Sequence, residues 1–441
     1  MRTIRRTFIL LILLNAALSV AFQSARAQTS DPLALVMTAH GPIMPPMLEY
    51  FKRGIEIAER RNAEVLVVQL NTPGGAVLTT LEIIREIRAS NVPVVIYVSP
   101  KNAIAGSAGA MITVAGHVSA MAPETTIGAS TPIMNTGENL PSDARAKEIN
   151  SMQAAIRPYV EPRGEEALAL ANAMIAEAKA VTNTEALEAG LIDFVADDLE
   201  DLLQALDGFT LQMDDGTRTI NTLDVETAPL NMSLIEGFLL FLTDPNIAFL
   251  LLAIGVQAVL IEISSPGGWV AGFIGVVCLT LAVYGMGVLP VNWFGIIFLL
   301  TAFILFILDI KAPTHGALTT AGVASFIIGA LVLFNSPGVP QFQRVSVPLV
   351  VATGVVIGLL FMVILIYALR ALKVPISAGI ESLIGKTGTA RSVVEGNGGQ
   401  VQLGPELWTA EAVDATESIG KGDRVEVVEV KGLRLKVRKI K

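Results

Sequence analysis

Cysteine is almost absent from this sequence. Its single cysteine, Cys278, lies inside an apolar run, so there is no disulfide framework and no thiolate metal site. Histidine is nearly as scarce, and His40, His117 and His315 are too scattered for a structural zinc or iron site. No metal or other cofactor is expected. Charge is low as well: 16% of the 441 residues are charged and 52% are hydrophobic, too apolar for an ordinary soluble chain. The net charge of −9 belongs mostly to the first half, which argues against nucleic acid as a partner there.

The apolar excess falls in two blocks. Residues 1–27 place Arg2, Arg5 and Arg6 ahead of an apolar Thr7–Leu18 and end in Ala25-Arg26-Ala27, the layout of an export signal cut before Gln28. The other reading is an uncleaved anchor helix; under both, the residues that follow leave the cytoplasm. The second block, within residues 231–375, holds five stretches: Asn246–Ile261, Trp269–Leu289, Val291–Leu308, Ala317–Phe334 and Val347–Leu369. Each is near the roughly 17–25 residues that a spanning helix needs. Only Glu262, Asp309, Lys311, Arg344 and Arg370 are fully charged between Asn246 and Arg370, all near predicted ends. An exported start plus five spans puts the carboxyl terminus in the cytoplasm. Lys311, Arg370 and Lys373 on that side agree with the positive-inside bias, and Arg344 opposes it. The expected location is a bacterial-type inner membrane. Met232–Leu242, just before the spans, reads as an interfacial segment.

Residues 28–230 read as an α/β domain, a parallel sheet with helices on both sides. Its centre is Val65–Leu70, a break at Asn71-Thr72-Pro73-Gly74-Gly75, a helix carrying Leu81, Ile84 and Ile87, then Val94–Val98 and Ala105-Gly106-Ser107-Ala108-Gly109. Strand, Gly-Gly turn, helix and strand make a βαβ unit, whose turns leave functional groups at the carboxyl ends of strands. The flanking segments predict a first strand at Leu33–Thr38, a helix at Pro45–Arg60, a strand at Val118–Met121 and helices at Ala144–Val160, Glu165–Lys179 and Thr184–Ala189. A final strand is expected at Ile192–Ala196 and a mobile loop at Gly137–Asp143. Residues 376–441 carry five β-rich runs, Lys386–Val394, Gly399–Leu403, Leu407–Ala412, Arg424–Val430 and Leu433–Ile440, which predict a small OB-type barrel. Trp408 is its only aromatic, too few for stacking nucleic-acid bases, and its basic last strand reads as a solvent face. A membrane protein or a lipid surface is the expected partner.

Ser107 stands among Gly106, Ala108 and Gly109, free of the bulk that would keep a carbonyl from a nucleophile. At a helix start, the Ala108 N–H can donate to an oxyanion, and the Gly74-Gly75 turn can supply a second donor. The plainer alternative makes Ser107 a helix cap and Pro73-Gly74-Gly75 an ordinary turn. A nucleophilic serine needs a base. His117 is only ten residues downstream and His40 has no carboxylate pattern around it, so neither makes a good triad partner. A neutral lysine can serve, and Lys147 is the only lysine between Ser107 and Met174. On spacing alone the better reading of Lys147 is a surface lysine paired with Asp143.

Thr72-Pro73-Gly74-Gly75, Ala105–Gly109 and Met121-Ala122-Pro123-Glu124-Thr125-Thr126-Ile127-Gly128 together resemble the ClpP/crotonase superfamily. More narrowly, with Ser264–Gly268 and Val288-Leu289-Pro290-Val291-Asn292 between spans and a terminal OB barrel, the chain resembles the long-form NfeD family of membrane-bound ClpP-class serine proteases. Soluble ClpP proteases place a histidine where this sequence reads Gly128-Ala129-Ser130-Thr131-Pro132. The narrower family uses a serine–lysine dyad, so the resemblance implies Ser107 as nucleophile and Lys147 as base, with the Gly75 and Ala108 amides holding the oxyanion and Gly74 shaping the turn. It further implies cleavage of hydrophobic segments in membrane-associated proteins, stomatin- or prohibitin-like partners, and a homo-oligomer. Gly137–Asp143 is expected to shield Lys147 when substrate binds. The rival readings are a membrane scaffold for stomatin-like assemblies with little proteolysis, and acyl-CoA chemistry, which export from the cytoplasm disfavours.

Overall fold

The computed structural model describes residues 32–132, 141–213, 216–264, 268–289, 291–312, 314, 316–335, 339, 341–373, 380–395, 398–414, 416 and 418–440. The expected signal segment, residues 137–140 of the predicted loop and residues 265–267 lie outside the described residues. The domain opens with strand Leu33–His40 (β1) and helix Pro45–Arg60 (α1), whose leading prolines have φ preset for a first turn. Val65–Asn71 (β2), Val77–Ala89 (α2), Val94–Val98 (β3), Ile104–Gly106 (β4), Ala108–Ala115 (α3), Val118–Met121 (β5) and Thr126–Gly128 (β6) follow. Then come Ser142–Val160 (α4), Glu165–Ala176 (α5), Ala180–Thr182 (β7), Asn183–Glu188 (α6), Phe194–Val195 (β8), Leu199–Leu206 (α7), Thr210–Met213 (β9), Gly216–Thr219 (β10) and Glu226–Leu230 (β11).

Six strands form one parallel sheet in the order β11-β1-β2-β3-β5-β8. Apolar residues run almost unbroken along β2 and β3, as strands buried on both faces require. Leu35, Met37, Leu66, Val68, Val94 and Ile96 face a core shared with α1 to α5. The opposite face, with Val65, Val67, Val95 and Val118, is covered by one helix, α7, together with the β9–β10 hairpin. The expected two helical layers are thus one helical layer and one mixed layer, because the alternating Leu211 and Met213 of β9 fill the place of a second helix. The predicted last strand shrinks to β8, and β11 follows it to add an edge to β1. A second small sheet, β4-β6-β7, escapes sequence reading because three-residue strands carry no periodicity. Helix α4 begins at Ser142 rather than Ala144.

Helix Leu234–Leu242 (α8) is closed at its start by a capping box between Ser233 and Glu236. Five apolar helices follow: Pro245–Ser264 (α9), Val270–Val288 (α10), Phe294–Lys311 (α11), Ala317–Phe334 (α12) and Val347–Lys373 (α13). Among the described residues, α9, α10 and α12 are long and apolar enough to cross a membrane, while the apolar parts of α11 and α13 are shorter. Small residues let the backbones approach: a Cβ added at Gly255 would lie 2.8 Å from Leu279, and one at Gly275 2.7 Å from Val259.

The chain ends in Thr387–Ala390 (β12), Gly399–Leu403 (β13), Glu406–Ala412 (β14), Arg424–Lys431 (β15) and Arg434–Lys439 (β16), a closed barrel ordered β12-β13-β14-β16-β15. Val401, Ala410, Val425, Val427, Leu435 and Val437 fill its interior. The fold class is therefore the expected one: an α/β domain, a helical membrane part and a five-stranded barrel.

Candidate active site

Ser107 follows β4 and immediately precedes α3, with φ 50° and ψ −110°. A non-glycine residue held in this region costs on the order of 1–3 kcal/mol, so neighbours must hold it there. The Ser107 N–H donates to Gly128 O at 3.3 Å, and the Ser130 hydroxyl donates to Ser107 O at 3.0 Å. Ser130 is itself buried and tied by its N–H to Met174 O at 2.7 Å. The Ser107 side chain makes no capping hydrogen bond, so the plain reading of this serine as a helix cap does not hold.

The Pro73-Gly74-Gly75 turn packs directly on this strained serine. A Cβ added at Gly74, whose φ is +119°, would stand 2.7 Å from Ser107 Cβ. On the other side, a Cβ at Gly106 would meet Pro73 O at 3.0 Å, and one at Gly109 would meet Thr72 Cγ2 at 2.5 Å. Thr72 locks the turn, accepting the Gly74 N–H at 3.1 Å through its hydroxyl. Ile43 supports it from behind: its N–H donates to Gly74 O and its carbonyl accepts from the Ala76 N–H, both at 2.9 Å. In such a parallel bridge the N–H of the residue between, Gly75, is turned away from Ile43. Neither the Gly75 nor the Ala108 amide has a protein acceptor among the described residues. The structure thus brings Gly74, Gly75, Ser107 and Ala108 together. Thr72, Gly128 and Ser130 lie in stretches whose motif is legible in sequence; their hydrogen-bond roles, and that of Ile43, are not.

The two histidines of the first domain are not partners of this serine. His117 precedes β5 at the amino end of the sheet; its Nδ1 accepts from the Val94 N–H at 3.2 Å and its own N–H donates to Val94 O at 3.0 Å. Burial, helped by the Arg88 cation, pushes its pKa down to about 3, so the ring is neutral and structural. His40 ends β1 and is exposed. Lys147 lies in the first two turns of α4, exposed, with no hydrogen bond or ion pair to Ser107 or Asp143 among the described residues. The buried residues of α4 are Met152, Ile156 and Val160, all beyond Lys147. The first side chain of the helix to pack on the core is the half-buried Ile149, two residues beyond Lys147.

The sequence matches three family descriptions in succession: the NfeD1b N-terminal domain over residues 38–213, the NfeD integral membrane domain over 246–367, and the NfeD-like C-terminal, partner-binding domain over 380–439. It is 34% identical over 411 residues to the membrane-bound protease PH1510 of Pyrococcus horikoshii, covering 91% of this chain and 92% of that protein. It is 25% identical over 450 residues to the membrane protein NfeD1b of Bacillus subtilis, covering 96% of each. Among solved structures it is similar to a lysine-to-alanine mutant of the membrane-bound, stomatin-specific protease 1510-N in complex with a substrate peptide, at 32% identity and a TM-score of 0.45, covering 49% of this chain and 99% of that one.

Proposed function

The chain belongs to the long-form NfeD family, with its N-terminal protease-like domain, membrane domain and C-terminal NfeD domain, and on that premise we propose that it is a membrane-bound serine endopeptidase acting through Ser107 and Lys147. The observation that carries this reading is Ser107 itself: a serine in a strained conformation, uncommitted as a cap, packed on a Gly-Gly turn beside two amides that have no protein acceptor among the described residues. Strain of this kind, kept in place by Gly128 and Ser130, fits a preorganised nucleophile better than a structural serine. In the proposed reaction Ser107 Oγ attacks the peptide carbonyl while Lys147 takes its proton and returns it to the leaving amine. The Gly75 and Ala108 N–H groups hold the oxyanion. Substrate binding has to bring the start of α4, ahead of Ile149, against Ser107.

The substrate class we propose is the apolar segment of a stomatin- or prohibitin-like membrane protein, in line with the stomatin specificity of the related 1510-N protease. We place the domain limits at 28–230, 231–375 and 376–441, the protease domain outside the cytoplasm and the barrel inside, in a homo-oligomer. The exposure of Lys147 is the one feature that favours the rival reading, a scaffold for such assemblies with little proteolysis. The test is cleavage of a panel of hydrophobic peptides by the full chain in detergent. Ser107→Ala, Lys147→Ala and Lys147→Arg should each abolish turnover while the fold is kept. Unchanged cleavage by the Lys147 variants would remove the dyad, and an inert parent chain would favour the scaffold.

A further inference from the structure

On the Pro73 side of the candidate site lies an open cleft of about 420 Å³, within the range of about 300–1,000 Å³ usual for ligand sites. Its lining includes Pro42 and Pro73, Leu240 and Phe241 of α8, Asp244 at the start of the membrane part, and Phe342 in the turn before α13. We propose that this cleft carries the membrane-proximal stretch of a polypeptide substrate from the bilayer surface to Ser107, and thereby selects apolar segments that lie beside a membrane span. The proposal rests on the peptidase reading above and names where its substrate enters.

Two of its lining residues point to its occupant. Pro73 is bonded to Gly74, the residue packed against the Ser107 side chain. Asp244 accepts the Asn246 N–H at 2.8 Å and immediately precedes α9, a helix long and apolar enough to span a membrane. Between them α8 turns Leu234, Ile235, Phe238 and Phe241 outward, an apolar face continuous with that span and suited to the headgroup boundary. The walls are held in place. The Arg53 guanidinium forks onto the Glu236 carboxylate with two 2.7 Å bonds, docking α8 on α1. The Ser346 N–H reaches Asn246 Oδ1 at 2.8 Å, which fastens the turn carrying Phe342 to the start of α9. A chain leaving the bilayer beside α9 would meet a preformed trough whose Pro73 adjoins the Gly74 packed on Ser107.

The test uses the full chain in phosphatidylcholine vesicles, with a synthetic single-span peptide bearing an apolar extension as probe. In the Ser107→Ala background, a photoreactive benzophenone side chain at position 342 should form a light-dependent adduct with the probe, and one at Thr217, exposed on the β9–β10 hairpin, should not. No adduct at position 342, or equal adducts at both positions, overturns the proposal. In the active chain, Leu240→Arg with Phe342→Arg should lower the ratio of turnover of the anchored probe to that of its extension alone by at least about tenfold, the equivalent of one lost apolar contact. An unchanged ratio overturns it. A parent chain that cleaves neither peptide refutes the peptidase reading instead, and the adduct at position 342 still decides whether the cleft binds.

Discussion

The Ser130 hydroxyl donates to the carbonyl of Ser107 at 3.0 Å, joining a buried side chain just after β6 to the strained residue just after β4. Ser130 follows β6, and its hydroxyl steadies the Ser107 backbone.

Removing that bond should act on rate more than on binding. Ser130→Ala takes one donor from the Ser107 carbonyl, which keeps the Ala110 N–H at 3.1 Å, at a stability cost of about 1 kcal/mol. We expect kcat on a hydrophobic peptide to fall by about tenfold or more with little change in KM, since Ser107 relaxes from its attack geometry. A kcat equal to that of the parent would show that the serine is held without Ser130.

Gly75 permits no side chain. A Cβ there would lie 2.0 Å from Ile43 O, a backbone atom that cannot move without opening the bridge at Ile43. Gly75→Ala should destabilise the first domain by about 1–3 kcal/mol and abolish cleavage. Thermal unfolding of the full chain in detergent, read beside peptide turnover, measures both effects; a folded, active variant would remove the turn from the proposed oxyanion site.

His117 makes a pH prediction with a definite sign. Its folded pKa of about 3 lies below the ordinary 6.5, so the unfolded chain takes up this proton first as pH falls. The stabilisation from its neutral ring is complete above 6.5 and is lost progressively as pH falls towards 3, at up to about 1.4 kcal/mol per pH unit. His117→Asn should flatten this part of the acid dependence of the thermal midpoint and leave proteolysis intact. Loss of turnover in the folded variant would reopen a histidine as base.

The Arg53–Glu236 pair should govern how α8 sits on the first domain. Burial pushes the Glu236 carboxyl up, but Arg53 and the Ser233 hydrogen bonds outweigh it and hold the group below its ordinary value. The linkage is therefore lost as pH falls through that lowered value. Arg53→Ala strands a carboxylate whose side chain is 11% exposed and also removes the bond to Asn231 O. The cost is about 1–3 kcal/mol. Limited proteolysis should then open a new cut between Leu230 and Pro245; protection equal to the parent's would mean that α8 is held by its apolar contacts alone.

The hydrophobic pattern by itself determined the architecture. Unbroken apolar runs marked the buried parallel strands β2 and β3, near-uniform apolar stretches marked the membrane helices, and glycine-separated alternation marked the barrel; these signals are local and survive without any partner in view. The small residues of Ala105–Gly109 and Gly74-Gly75 also pointed to a tight turn against a helix start. Tertiary structure alone decided the rest. Whether Ser107 caps its helix or is held in a strained state depends on Gly128 and Ser130, more than twenty positions away. The backing of Gly75 by Ile43, the capture of His117 by Val94 and the fork between Arg53 and Glu236 are likewise contacts between elements distant in the chain. A single sequence without its fold carries no record of such contacts, because each is set by where whole strands and helices come to rest rather than by the residues beside it.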